Sequence, residues 1–289
     1  MKDAAVFILL GQSNAVGHDV PMAEEDKILT PLKNVFGLHR DANQSYDVEE
    51  LRWSGYTSAG MNLGETQDDT YSVASCLARQ WQDAVDAGKK LPDLYIIQIA
   101  IGGQGVTQKY MWFPLREKGT LVPGALKTAN IALYSLTCRI LSLVKDSFKQ
   151  MGKTYEVFGL HWRGGEQEDA MQTDVLRPVL KGIYDCVFEG FWSALGEKVP
   201  TVIHRLVCVD CWKKQDLKTG CSTECGAFIN SVFDALAEQH ENVEIFDIRS
   251  APHFIPDVAG NGIFKEDFAH YTPESNRWVA SEILRNYMK

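Results

Sequence analysis

The sequence predicts an α/β protein in which five parallel strands form one sheet covered by helices on both faces. Three observations carry this expectation. Short apolar runs such as Phe7-Ile8-Leu9-Leu10 alternate five times with longer segments whose apolar residues recur at helical spacing. The runs are continuously apolar rather than alternating, as strands buried on both faces are. Several of them stop abruptly in glycine and small polar residues, the pattern of a sheet rim where ligands collect. With 289 residues the chain can bury a large core, and a single domain over 1–289 is expected.

Taken in order, the first strand runs into Gly11-Gln12-Ser13-Asn14. Gly11 permits a tight turn, so Ser13 can project its hydroxyl into the crevice while its own N–H and that of Asn14 remain able to donate. Residues 15–69 are rich in Gly, Asp, Asn and Pro with little periodicity, and read as a long excursion over the rim. A helix follows over about 71–87, with Val73, Leu77 and Trp81 on one face. The second strand, 94–100, ends in Ile101-Gly102-Gly103-Gln104-Gly105. These glycines either bring backbone N–H groups to a ligand or simply make a turn, and they lack the Gly-Lys-Ser/Thr ending of a phosphate loop.

Residues 106–125 carry Tyr110, Trp112 and Phe113 beside that rim, positioned to stack on a sugar or to pack as a lid. A long amphipathic helix over 127–151 leads to the third strand, 155–160, which delivers His161-Trp162-Arg163-Gly164-Gly165-Glu166-Gln167-Glu168-Asp169. On composition alone Glu166 and Asp169 read as solvated loop acids, and His161 as a packed strand-end histidine. A helix within 173–195, a fourth strand over 202–209, a helix over 228–237 and a short fifth strand over 243–247 complete the alternation. Thr272-Pro273 starts the last helix, which fixes His270 just ahead of it. Asp267, three residues earlier, is close enough within a turn to hold the imidazole Nδ1–H.

The net charge of -9 and the scattered Lys and Arg residues argue against nucleic acid and anionic membranes as partners, and favour a neutral substrate. No apolar stretch reaches the about eighteen residues that a membrane span needs. The apolar run from Ala4 flows directly into the serine block, so cleavage of a leader there would remove that block. The mature chain is therefore read from residue 1, with a cytoplasmic location favoured over secretion after loss of an earlier leader. Of seven cysteines, Cys76, Cys138 and Cys186 look like buried thiols. Cys208, Cys211, Cys221 and Cys225 form C-x2-C-x9-C-x3-C, which could hold a tetrahedral zinc, close a disulfide within the loop, or serve as packing residues.

Gly-Gln-Ser-Asn at the end of the first strand resembles the nucleophile block of SGNH hydrolases. More narrowly, it is similar to that of carbohydrate esterase family 6 and the sialate O-acetylesterase group, which includes acetylxylan esterase relatives. Gly102-Gly103 resemble the family's second block. The segment from Trp162 resembles its W-x-Q-G-E-x-D, matching Trp162, Gly165 and Glu166, with Gly164 at the glutamine position and the acid displaced by one residue. Asp267 and His270 match the closing D-x-x-H. The matched positions are few, but they follow the family's order from Ser13 to His270.

The resemblance implies a three-layer, flavodoxin-like α/β/α sandwich that removes O-acetyl groups from carbohydrates such as xylan or sialic acid through an acetyl-enzyme, without a cofactor. Ser13 would be the nucleophile, His270 the base and Asp267 its orienting acid. Gly103 and Ser13 would offer N–H groups to the oxyanion, with Gly102, Gln12, Asn14 and Glu166 around them. Gly164 removes one side-chain donor, a loss worth about 10²- to 10³-fold in rate, for which Gln167, Gln104 or Arg163 are the substitutes at hand. Three other readings stay open: a lipase or thioesterase of the same superfamily with an apolar channel, a non-catalytic carbohydrate-binding relative, and a zinc-held interaction loop over Cys208 to Cys225 for a protein partner. The number of subunits is not legible in the sequence.

Overall fold

A computed structural model describes residues 2–40, 48–64, 67–115, 132–169, 176–207, 226–255, 262–265 and 270–289. The elements are β1 (Ala4–Gly11), α1 (Ser13–Val16), β2 (Val35–Leu38), β3 (Trp53–Gly55), α2 (Val73–Asp86), β4 (Asp93–Ala100) and α3 (Leu133–Gln150). They continue with β5 (Tyr155–Arg163), α4 (Glu166–Asp169), α5 (Leu176–Leu195), β6 (Thr201–His204), α6 (Ala227–Gln239), β7 (Val243–Phe246) and α7 (Pro273–Tyr287). The strands form one sheet in the order β3-β2-β4-β1-β5-β6-β7.

The α/β class holds, but the sheet has seven strands rather than five and is not wholly parallel. The two additions, β2 and β3, come from the stretch expected to be excursion alone. β2 pairs parallel with β4, and β3 closes the edge antiparallel to β2. Four residues interrupted by Gly37, and three of which only Trp53 is large and apolar, are too short to show a period. Their partner strand supplies what their own pattern lacks.

β1 lies at the centre and explains its apolar run, since all eight of its residues are buried. Val6, Ile8 and Leu10 face a core shared with Leu136, Ile140, Phe188 and Phe233 of α3, α5 and α6. Ala5, Phe7 and Leu9 face a second core with Leu77 and Trp81 of α2 and Val279 and Ile283 of α7. Helices thus cover both faces. No helix among the described residues is long and apolar enough to cross a membrane.

The fourth strand stops at His204, short of the expected end, and the fifth at Phe246. The expected starts of two helices, near 127 and 173, the end of the fourth strand at Val209 and part of the 106–125 loop lie outside the described residues. So does the whole cysteine-bearing segment with Cys208, Cys211, Cys221 and Cys225. Of the three remaining thiols, Cys76 is buried, Cys138 half-buried and Cys186 exposed, so the expectation of burial fails for Cys186. That residue sits on the outer side of α5.

Candidate active site

The site begins with a row of the sheet. Gly11 of β1 pairs with Ala100 of β4 on one side and with Arg163 of β5 on the other. The serine block, the glycine block and the Glu166 block therefore leave the sheet at one level, on its C-terminal rim. Only glycine fits at the centre of this row. Gly11 has φ +141°, and a Cβ there would stand 2.0 Å from the Arg163 carbonyl oxygen. The turn is then pinned from both sides: Gln12 N–H donates to the Arg163 carbonyl at 3.0 Å, and Trp112 Nε1 donates to the Gly11 carbonyl at 3.0 Å.

Ser13 starts α1 half-exposed, and its carbonyl accepts from the N–H groups of Gly17 and His18, each at 3.0 Å. Its neighbours are buried. Gln12 packs inward, its Oε1 without a hydrogen-bond partner among the described residues. Asn14 is the hub: its Nδ2 donates to Glu166 Oε1 at 2.8 Å, and its Oδ1 accepts from the Tyr271 N–H at 3.3 Å. That second bond ties the residue after His270 to the residue after Ser13. The His270 ring is half-buried and lies against His18, their centroids 5.2 Å apart.

Arg163, 2 % exposed, braces this cluster from below. One guanidinium nitrogen, Nη1, donates to the Asn14 carbonyl at 2.9 Å and to Asn276 Oδ1 at 2.8 Å, while the guanidinium carbon lies 4.4 Å from the Tyr271 ring centroid. Asn276 in turn donates to the Tyr71 carbonyl at 2.7 Å. One buried cation thus links β5, α1 and α7. Burial pushes the Glu166 carboxyl up from its ordinary value, against the Asn14 hydrogen bond and the positive charge of Arg163.

On the other side of β1, Gly103 adopts φ +67° and is half-exposed beside Gly102. Its loop is anchored by Glu168, which is fully buried and accepts from the Val106 N–H at 2.8 Å. Gly105 makes room for that carboxyl, since a Cβ there would lie 2.0 Å from Glu168 Oε1. Burial raises the Glu168 pKa to about 7, with the Val106 hydrogen bond opposing. The aromatic loop is packing rather than an open sugar platform at Trp112, which is wholly buried with its ring 5.1 Å from Trp162. Tyr110 is half-buried and its hydroxyl donates to Gln167 Oε1 at 2.8 Å.

The structure thus gathers Gln12, Ser13, Asn14, Glu166 and the His270 segment on one side, with Gly102 and Gly103 across the row. Asp267 lies outside the described residues. Glu166 is no solvated loop acid, because the chain turns into α4 immediately after β5 and carries its carboxylate under Asn14. His161 is the packed residue expected: it lies against Phe7, its Nδ1 is 3.0 Å from His204 Nε2, and burial drives its pKa down to about 3. His18, Arg163 as a brace, Glu168 and Asn276 are contributions that the sequence did not reveal. Glu168 had a signal, an acid two residues beyond Glu166 in a glycine-flanked strand end; His18 and Asn276 lie in no motif. A hydroxyl, an imidazole and backbone donors around one rim are the parts acyl transfer requires.

Two solved structures share this fold along the whole chain. A protein from Arabidopsis thaliana is 15% identical with a TM-score of 0.58, covering 100% of this chain and 98% of that one. NanS is 16% identical with a TM-score of 0.59, covering 99% of this chain and 98% of that one. At these identities the likeness is one of fold. No protein-family profile matches the sequence, and neither does any curated protein.

Proposed function

We propose that this protein is a serine esterase that removes O-acetyl groups from carbohydrates. The observation that carries the reading is the single sheet row, Ala100-Gly11-Arg163, from which the three sequence blocks emerge together, with Asn14 tying in the His270 segment. The order of those blocks in the sequence supports the acetyl-sugar substrate class. In the proposed reaction His270 Nε2 takes the proton of the Ser13 hydroxyl as Oγ bonds to the ester carbonyl carbon. The carbonyl π pair moves to oxygen, which the N–H groups of Ser13 and Gly103 receive. The pair returns, the bond to the sugar oxygen breaks, and His270 gives that oxygen its proton. Water repeats the sequence on the acetyl-enzyme and releases acetate. Asp267 serves by orienting the imidazole and stabilising its charged form.

Hydrolysis of p-nitrophenyl acetate, butyrate and octanoate by wild type, Ser13→Ala and His270→Ala tests this. The expected outcome is a preference for acetate and a loss of at least about 10³-fold in kcat for either variant. Preference for octanoate would move the assignment to a lipase. Wild-type turnover no greater than that of the variants, on this ester and on acetylated xylan and sialate, would overturn the esterase reading.

A further inference from the structure

The geometry points to Gln167 as the side-chain donor of the oxyanion site, an inference that rests on the esterase reading above. Gln167 is the second residue of α4, between two acids that both turn inward. Glu166 is committed to Asn14 and Glu168 to Val106, whereas Gln167 is half-exposed at the rim. Its Oε1 accepts from the Tyr110 hydroxyl, which sets the orientation of the carboxamide and turns the NH2 end toward the crevice. That nitrogen lies 3.9 Å from where a Cβ on Gly103 would be, and among the described residues no other atom outside the immediate chain comes within 4 Å of that point. Among the described residues the space over Gly103 is therefore bordered by an amide donor and filled by no side chain.

The two competing donors are set back from the rim by burial, whereas Gln167 reaches it. Arg163 is buried, with Nη1 shared between the Asn14 carbonyl and Asn276. Gln104 is also buried, and its Oε1 accepts from the Met111 N–H at 3.3 Å. Gln167 comes from the helix after β5 and Gly103 from the loop after β4, so an oxygen placed between them is approached from both neighbours of β1. Gln167 thereby supplies from α4 the donor that Gly164 cannot supply from the strand end. Tyr110 acts through it, as a positioning residue.

The test compares wild type, Gln167→Ala, Gln167→Glu and Tyr110→Phe in two assays: hydrolysis of p-nitrophenyl acetate, and the rate at which a fluorophosphonate labels Ser13, followed by intact mass. The phosphoryl oxygen of the label occupies the same site as the ester oxygen, so labelling reports the donor without a leaving sugar. For Gln167→Ala, kcat should fall about 10²- to 10³-fold with KM within about threefold, and labelling should slow in parallel. Gln167→Glu, an acceptor in place of a donor, should be no better, and Tyr110→Phe should lose about 3- to 10-fold in kcat. Retention of kcat within threefold by an active Gln167→Ala enzyme overturns the assignment and leaves the esterase reading standing. A change in KM alone, or a fall in kcat matched by a lowered melting temperature, overturns it in favour of substrate binding or structure. A wild type that neither turns over ester nor takes label at Ser13 overturns the esterase reading, and this inference with it.

Discussion

At the scale of single residues, the site depends most on Gly11. Two costs meet there: a backbone conformation that a side chain resists, and a Cβ that would stand 2.0 Å from the Arg163 carbonyl oxygen and 2.5 Å from its carbon. The clash is with the backbone of a paired strand, so no side chain can swing aside. Gly11→Ala is expected to lose about 3 kcal/mol or more of stability, or to fail to accumulate as folded protein. Gly88 provides the control, because it has φ +83° and a Cβ there would meet nothing within 4 Å. Gly88→Ala should cost only about 1 kcal/mol, the backbone share alone. Urea midpoints of the two variants separate these contributions, and equal losses would refute the strand-clash account. The same contrast shows why Gly11 is informative and most other glycines are not.

At the scale of elements, α7 is what carries His270 and Tyr271 to the serine block. Its N-terminus is closed by Thr272, whose side chain accepts from the Ser275 N–H at 3.2 Å, with Pro273 beginning the helix. Thr272→Ala should cost about 1 kcal/mol, and Thr272→Ser should recover most of it; thermal melting reads a fall of about 2 °C for the former. Acetate kcat should stay within about twofold, because Tyr271 is also tied to Asn14. This helix start was legible in the sequence, as were β1, β4, β5 and the serine block, since each has its own signal: a continuous apolar run, a capping pair, a glycine before polar residues. β2 and β3 had none, being short and specified by pairing. The buried polar cluster was legible only at its ends. Glu166 stood in a motif, but Arg163 and Asn276 are 113 positions apart, and only the fold reveals that a cation on β5 needs an amide on α7.

At the scale of the whole molecule, the buried ionisable groups make stability depend on pH in two opposing ways. His161, held neutral with its pKa near 3 against an ordinary 6.5, and His204, held well below the same value, stabilise the fold fully above about pH 6.5. Their contribution is lost as pH falls, because the unfolded chain then takes up protons that the folded one refuses. Glu168 works in the other direction. With its pKa raised from 4.5 to about 7, it binds its proton more tightly when folded, so its contribution is full below about pH 4.5 and is lost as pH rises through about 7. The difference amounts to roughly 3 kcal/mol overall. Glu168→Gln isolates it, since the amide keeps an acceptor for the Val106 N–H and does not ionise, and the Tyr184 hydroxyl, which donates to Oε2 at 3.5 Å, can turn to accept from the amide nitrogen. Between pH 5 and pH 8 the wild type should lose about 2 to 3 kcal/mol relative to this variant, measured as urea midpoints at each pH. The histidine contributions cancel in that comparison. Parallel curves would mean that Glu168 ionises in the fold without penalty and anchors the Gly103 loop as an ordinary carboxylate, its burial offset by the Val106 N–H.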